Sequence, residues 1–165
     1  MLILYIDNNI FMYTIAVFSP FLGSLLAGLA GRWLGARGSA SITILGLVCS
    51  FLLSLCLCYE VGIAASSVYV PLGDWFSAST IRVTWGLYFD TLSVCMMATV
   101  TLVSACVHLY SVSYMQNDPH LPRFMSYLSL FTGFMLVLVT APNMIQMLVG
   151  WEGEYCCLRW IIFHI

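Results

Sequence analysis

The sequence contains no lysine, and charged residues make up only 7% of it, far below the roughly one quarter usual in soluble domains. With a formal net charge of −2 there is no basic surface for nucleic acid and no polybasic lipid anchor. A chain of 165 residues this poor in charge has no polar coat to close around a core, so lipid or partner subunits must cover it. Histidine is scarce as well. No histidine pair accompanies Cys56-Leu57-Cys58 or Cys156-Cys157, whose spacings fit no zinc pattern, and no metal is expected. Nucleophile–base arrangements, phosphate loops and cofactor motifs are missing too, which argues against a self-contained enzyme and for no bound cofactor. The first ten residues carry no arginine, include Asp7 and lead into an apolar run too long for a signal peptide, so the first helix is expected to stay attached.

What the chain has instead is apolar length, with 62% of its residues hydrophobic. Five runs have the ~20 residues that a bilayer needs. They cover residues 10–30, 39–59, 91–114, 123–140 and 144–165, and the sparse charges cluster between them. Cys49, Cys56, Cys58, Cys95 and Cys106 lie inside these runs, where thiols act as small hydrophobes and not as a disulfide framework. Gln116-Asn117-Asp118-Pro119-His120 and Ala141-Pro142-Asn143 provide the turn chemistry that separates the later runs. Between the second and third runs, Pro71, Gly73 and Asp74 are followed by Thr80-Ile81-Arg82-Val83-Thr84-Trp85, which alternates polar and apolar. The expected fold is all-α and transmembrane, with about five spanning helices and a short β-hairpin on the membrane surface. Isolated hairpins are marginal in water, so this one should lean on neighbouring helices or another subunit.

Arg32 and Arg37 follow the first run and Arg123 follows the third, all on one face, whereas the opposite face holds Arg82 beside Glu60, Asp74 and Asp90. The positive-inside rule then puts the arginine-rich face on the cytoplasmic or matrix side and the amino terminus on the other. Asp90 is expected to cap the third helix, where a carboxylate suits the helix dipole. The residue of sharpest chemical meaning is Glu152 in Gly150-Trp151-Glu152-Gly153. It falls roughly 13 Å along the fifth helix at about 1.5 Å per residue, close to the bilayer midplane. A charged glutamate there costs at least ~2.5 kcal/mol, so it should be protonated, paired, or facing a hydrated cavity. If the helix begins later, the same residue lies at an interface beside Trp151. Arg159 is too far along the helix for direct contact with Glu152 and suits the far interface, its side chain snorkelling to water. His108 is the other buried polar candidate, as a proton relay or as a neutral hydrogen-bonding partner. Gly23 with Ala27 permits close helix packing without identifying a fold.

Several segments go further than composition. Phe18-Ser19-Pro20-Phe21-Leu22-Gly23-Ser24, Trp85 to Leu92, His108 to Met115, Asp118 to Phe124 and Gly150-Trp151-Glu152-Gly153 occur in this order. Together they resemble the amino-terminal part of the chain 5 family of mitochondrial NADH:ubiquinone oxidoreductase, the distal antiporter-like subunits of respiratory complex I. The resemblance covers roughly Met12 to Gly153, and residues 1–11 look like an extension. It implies a multi-pass subunit of the mitochondrial inner membrane, taking part in proton translocation driven by electron transfer elsewhere, with no redox cofactor of its own. It also implies that Glu152 pairs with a lysine on a later broken helix, and this chain has no lysine. The partners implied are other membrane-arm subunits of complex I, the lipid bilayer and a second polypeptide carrying the remaining helices, as expected of a split or truncated product. The segment 154–165 departs from the family pattern. A fragment of a cation/proton antiporter and a non-pumping structural remnant are the competing readings.

Overall fold

The computed structural model describes residues 2–63, 67–78, 81–115, 118 and 120–164. Thr80, Gln116, Asn117 and Pro119, which figure in the expected turns, lie outside the described residues. The expected helices and hairpin are present, with differences at the start of the chain. One helical run extends over Leu2–Leu57 and is broken at Gly35, which divides it into α1 (2–34) and α2 (36–57). Helical structure therefore reaches into the apparent extension, and a single residue does the work expected of a loop at 31–38. Gly35 has φ 70° and ψ 179°, a conformation essentially restricted to glycine. A π-helical segment, Cys58–Ile63, ends α2. After it come β1 (Val68–Ala78) and β2 (Ile81–Phe89), then α3 (Thr91–Tyr114), α4 (Leu121–Val139) and α5 (Met144–His164). Among the described residues, Ile10–Gly31, Trp33–Ile63, Thr91–Tyr114 and Leu121–Val139 are long and apolar enough to cross a membrane. The helix α5 is long enough but carries Glu152, Glu154 and Arg159.

Hydroxyl groups reaching from one helix to another's backbone hold the bundle together. Pro20 lies inside α1 and has no N–H, which leaves the carbonyl of Ala16 without its usual partner four residues on. The Ser50 hydroxyl of α2 donates to that same carbonyl at 2.5 Å. Further along α1, Ser129 and Ser126 of α4 donate to the carbonyls of Pro20 and Ser24, each at 2.8 Å. Small residues let the backbones come this close: a β-carbon at Gly46 would sit 3.1 Å from the Ser19 carbonyl oxygen. The result is a small polar lattice inside an apolar shell, with Ser50, Ser54, Thr101 and Ser129 fully buried.

The hairpin is antiparallel, with register shifts between Pro71 and Gly73 and between Asp74 and Phe76. It is not left as an isolated ribbon. Val70, Leu87 and Phe89 join Tyr13 and Leu136 in the main core, and the Tyr13 and Phe89 rings lie 4.8 Å apart. The free edge of β2 is taken up by the α4–α5 elbow. Tyr88 N donates to the Thr140 carbonyl at 2.8 Å, and Asn143 Nδ2 donates to the Thr84 carbonyl at 2.7 Å. Gln146 meets Gly86 at both ends, its Oε1 accepting from Gly86 N at 3.2 Å and its Nε2 donating to Gly86 O at 2.7 Å. A side-chain amide has here the donor and acceptor of one strand residue, which closes an edge that would otherwise remain unpaired.

Candidate functional site

The geometry of Glu152 follows from the two glycines around it. The helix α5 packs on α4, and its inward face contains Gln146, Gly150, Gly153 and Cys157, buried or half-buried at a spacing of three or four residues. A β-carbon at Gly150 would lie 2.9 Å from Leu138 Cα, which is backbone and cannot turn aside. At Gly153 it would run into the Phe134 ring. With the small residues pressed against α4, their neighbours turn away: Trp151, Glu152, Tyr155 and Arg159 are all exposed. Glu152 is eight residues beyond Met144, or about 12 Å along the helix. Among the described residues it makes no hydrogen bond or ion pair. Glu154 is half-buried. Arg159 is not paired with Glu152; its guanidinium lies 5.7 Å from the Phe163 ring centre.

Two features of the α5 amino terminus escaped the sequence reading. Asn143 Oδ1 accepts from Gln146 N at 2.9 Å, which makes Asn143 the cap of α5. Its amide thus accepts from α5 and donates to β2. Gln146 was likewise missed as the clamp on Gly86. The signal was present as Asn143-Met144-Ile145-Gln146, the spacing of a capping box, although this glutamine turns outward to the hairpin instead of back to its own helix.

His108 is fully buried in α3. Its Nδ1 lies 2.8 Å from the Ser104 carbonyl and 3.4 Å from the Ser104 hydroxyl. Because a carbonyl can only accept, Nδ1 carries the proton in the neutral ring, and Nε2 presents a lone pair. Nε2 is buried without a hydrogen-bond partner among the described residues. Ser104 continues to the Thr132 hydroxyl of α4 at 2.5 Å, and Thr101 reaches Ser54 of α2 at 3.3 Å. An open groove of about 300 Å³ between α3 and α4 is lined by Thr99, Val103, Ser104, Leu128, Phe131 and Thr132. The two candidate residues are not brought together. The helix α3 meets α4 through Thr132, whereas α5 meets it through Phe134 and Leu138, on a different side.

Asp90 caps α3 as expected, with Oδ1 accepting from Ser93 N at 2.7 Å. The hydrogen bonds from the Ser93 amide and hydroxyl hold its carboxyl below the usual carboxylate range.

The family model for the amino terminus of chain 5 of NADH-ubiquinone oxidoreductase (complex I) matches residues 75–125, from the hairpin through α3 into α4. The chain is 51% identical over 142 residues to NADH-ubiquinone oxidoreductase chain 5 of Chondrus crispus, a match covering 86% of this chain and 21% of that protein. Identity to the Arabidopsis thaliana chain 5 is 51% over the same length and coverage. To the Metridium senile chain 5 it is 43% over 146 residues, covering 88% of this chain and 24% of that protein. The chain therefore spans about one fifth of the length of the curated relatives it matches. With its helices, hairpin and Gly-Trp-Glu-Gly segment, the chain is similar over most of its own length to the NADH-ubiquinone oxidoreductase chain 5 family, and residues 75–125 match that family's amino-terminal model.

Proposed function

We propose that the chain forms part of a proton-translocating subunit in the membrane arm of NADH:ubiquinone oxidoreductase, in the mitochondrial inner membrane, and that Glu152 is the group in it that changes protonation. One observation carries this reading: Glu152 stands mid-helix on the face of α5 that Gly150 and Gly153 turn away from the rest of the chain. A carboxylate at that depth needs a partner or water. With no lysine in the chain, a cation of that kind has to come from a segment outside it, on a second polypeptide or a longer continuation. Approach of the cation favours the carboxylate, and its withdrawal into an apolar setting favours the neutral acid, so movement of that charge drives proton uptake and release. The chain contributes no redox chemistry; electrons pass elsewhere in the complex. Membrane-arm subunits and lipid are the partners that cover its apolar outer faces.

His108 has a secondary part in this proposal. Its unpaired Nε2 offers a water molecule a hydrogen-bond acceptor, and on the opposite, Nδ1 side of the ring Ser104 and Thr132 extend a polar track to the α3–α4 groove. The test is Glu152→Gln in the assembled enzyme, with NADH oxidation and proton movement followed together. Fewer protons per electron are expected with assembly and NADH oxidation largely retained. An unchanged ratio in a fully assembled enzyme would overturn the role of Glu152.

A further inference from the structure

The arginine-bearing end of the bundle carries a second open cavity, remote from Glu152. It has a volume of about 630 Å³ and lies between the end of α1, the elbow at Gly35 and the start of α4. Leu29, Gly31, Gly35, Ala36, His120 and Arg123 line it. Glycine at 31 and 35 keeps the wall low, and at Gly35 an added β-carbon would meet nothing. Arg123 is exposed and forms no ion pair among the described residues. His120 occupies the cap position of α4, yet its side chain makes no capping hydrogen bond. Among the described residues no carboxylate lines the cavity; the nearest in sequence, Asp118, already accepts from His120 N at 2.8 Å. The remaining wall is apolar, with Leu29 85% exposed.

We propose that this cavity binds the phosphate of an anionic phospholipid, with the guanidinium of Arg123 and the imidazole of His120 facing the phosphate and the first acyl carbons lying along Leu29. The cavity opens at the end of membrane-spanning helices, the depth at which headgroups sit, and basic pockets between helices at that level suit such headgroups. Its mixed lining favours a lipid over free phosphate, which would leave the Leu29 wall wet.

The chain purified in detergent would be titrated with phosphatidylglycerol and, separately, with phosphatidylcholine of the same acyl chains, and bound lipid counted by native mass spectrometry. Phosphatidylglycerol is expected to bind more tightly, and Arg123→Gln to weaken it about fivefold, the effect of one basic residue near a membrane surface. Arg123→Lys should keep most of the binding. Ala36→Glu, which places a negative charge on the opposite, exposed wall, should weaken binding similarly and leaves α4 untouched should Arg123→Gln fold poorly. Equal binding of the two lipids, no loss in either charge variant, or displacement of the lipid by millimolar inorganic phosphate would overturn the assignment.

Discussion

The two faces of α5 are built to different ends. Toward the rest of the chain the helix presents Gln146, Gly150, Gly153 and Cys157: the two glycines meet a backbone and a ring of α4, and the Gln146 amide has its donor and acceptor both paired with Gly86 of β2. Away from α4 it presents Trp151, Glu152, Tyr155 and Arg159, with large side chains, opposite charges and no closed contacts between those charges. Small residues fix where a membrane helix sits, because lipid offers no hydrophobic gain for burying a large one. The large and ionisable residues are thereby left for whatever lies outside the chain. The contrast separates residues that shape the fold from residues left exposed on its surface.

The sharpest way to break this comparison is to place bulk on each face in turn. Gly150→Leu should destabilise the chain by about 3 kcal/mol, because the new side chain meets the Leu138 backbone and α5 must move. Trp151→Leu, one residue away on the exposed face, should stay within about 0.5 kcal/mol. Unfolding in mixed micelles measures both, and equal losses would erase the distinction between the faces. Gln146→Leu should cost about 2 kcal/mol by leaving both backbone groups of Gly86 unpaired. Hydrogen exchange at the Gly86 amide should accelerate in that variant while exchange within α3 stays as it was.

Smaller effects grade the same contrast elsewhere in the chain. Asp90→Ala should cost about 1 kcal/mol through loss of the α3 cap. Because Ser93 lowers the folded-state pKa of Asp90, its contribution is present above the ordinary value of 3.8 and disappears as pH falls through the folded value. A stability profile taken from pH 5 downward should therefore steepen below about 4 in the parent and less in the variant. Ser50→Ala should cost about 0.6 kcal/mol, the usual size of a hydrogen bond between membrane helices. In a Pro20→Ala background the cost should shrink toward zero, since Ala16's carbonyl regains a backbone donor. A double-mutant cycle that shows no coupling would contradict the role given to Ser50.

Much of this architecture is written in the spacing of apolar runs, since a membrane helix must satisfy its own backbone over a fixed thickness. The Asp90 cap and the alternation in Thr80 to Trp85 are local signals and were readable as such. The break at Gly35 was less so: glycine, arginine and tryptophan between two runs suggest a loop, and only the backbone angles show that one residue makes the turn. The lattice of Ser50, Ser126 and Ser129 depends on which helices become neighbours, and no single run specifies that. For the candidate site, the sequence shows Glu152 at mid-helix, but not the direction it faces. That direction depends on Gly150 and Gly153 meeting Leu138 and Phe134, residues of a different helix. Gln146 stayed hidden because its partner is backbone 60 positions earlier.

The outward position of Glu152 is the claim on which the functional reading rests, and a photoreactive benzophenone side chain substituted at position 152 tests it in native membranes. Illumination should link this position to lipid or to a protein segment outside residues 1–165, with no adduct on α4. Adducts concentrated on α4 around Phe134 and Leu138 would show that the glutamate faces inward and would contradict the account.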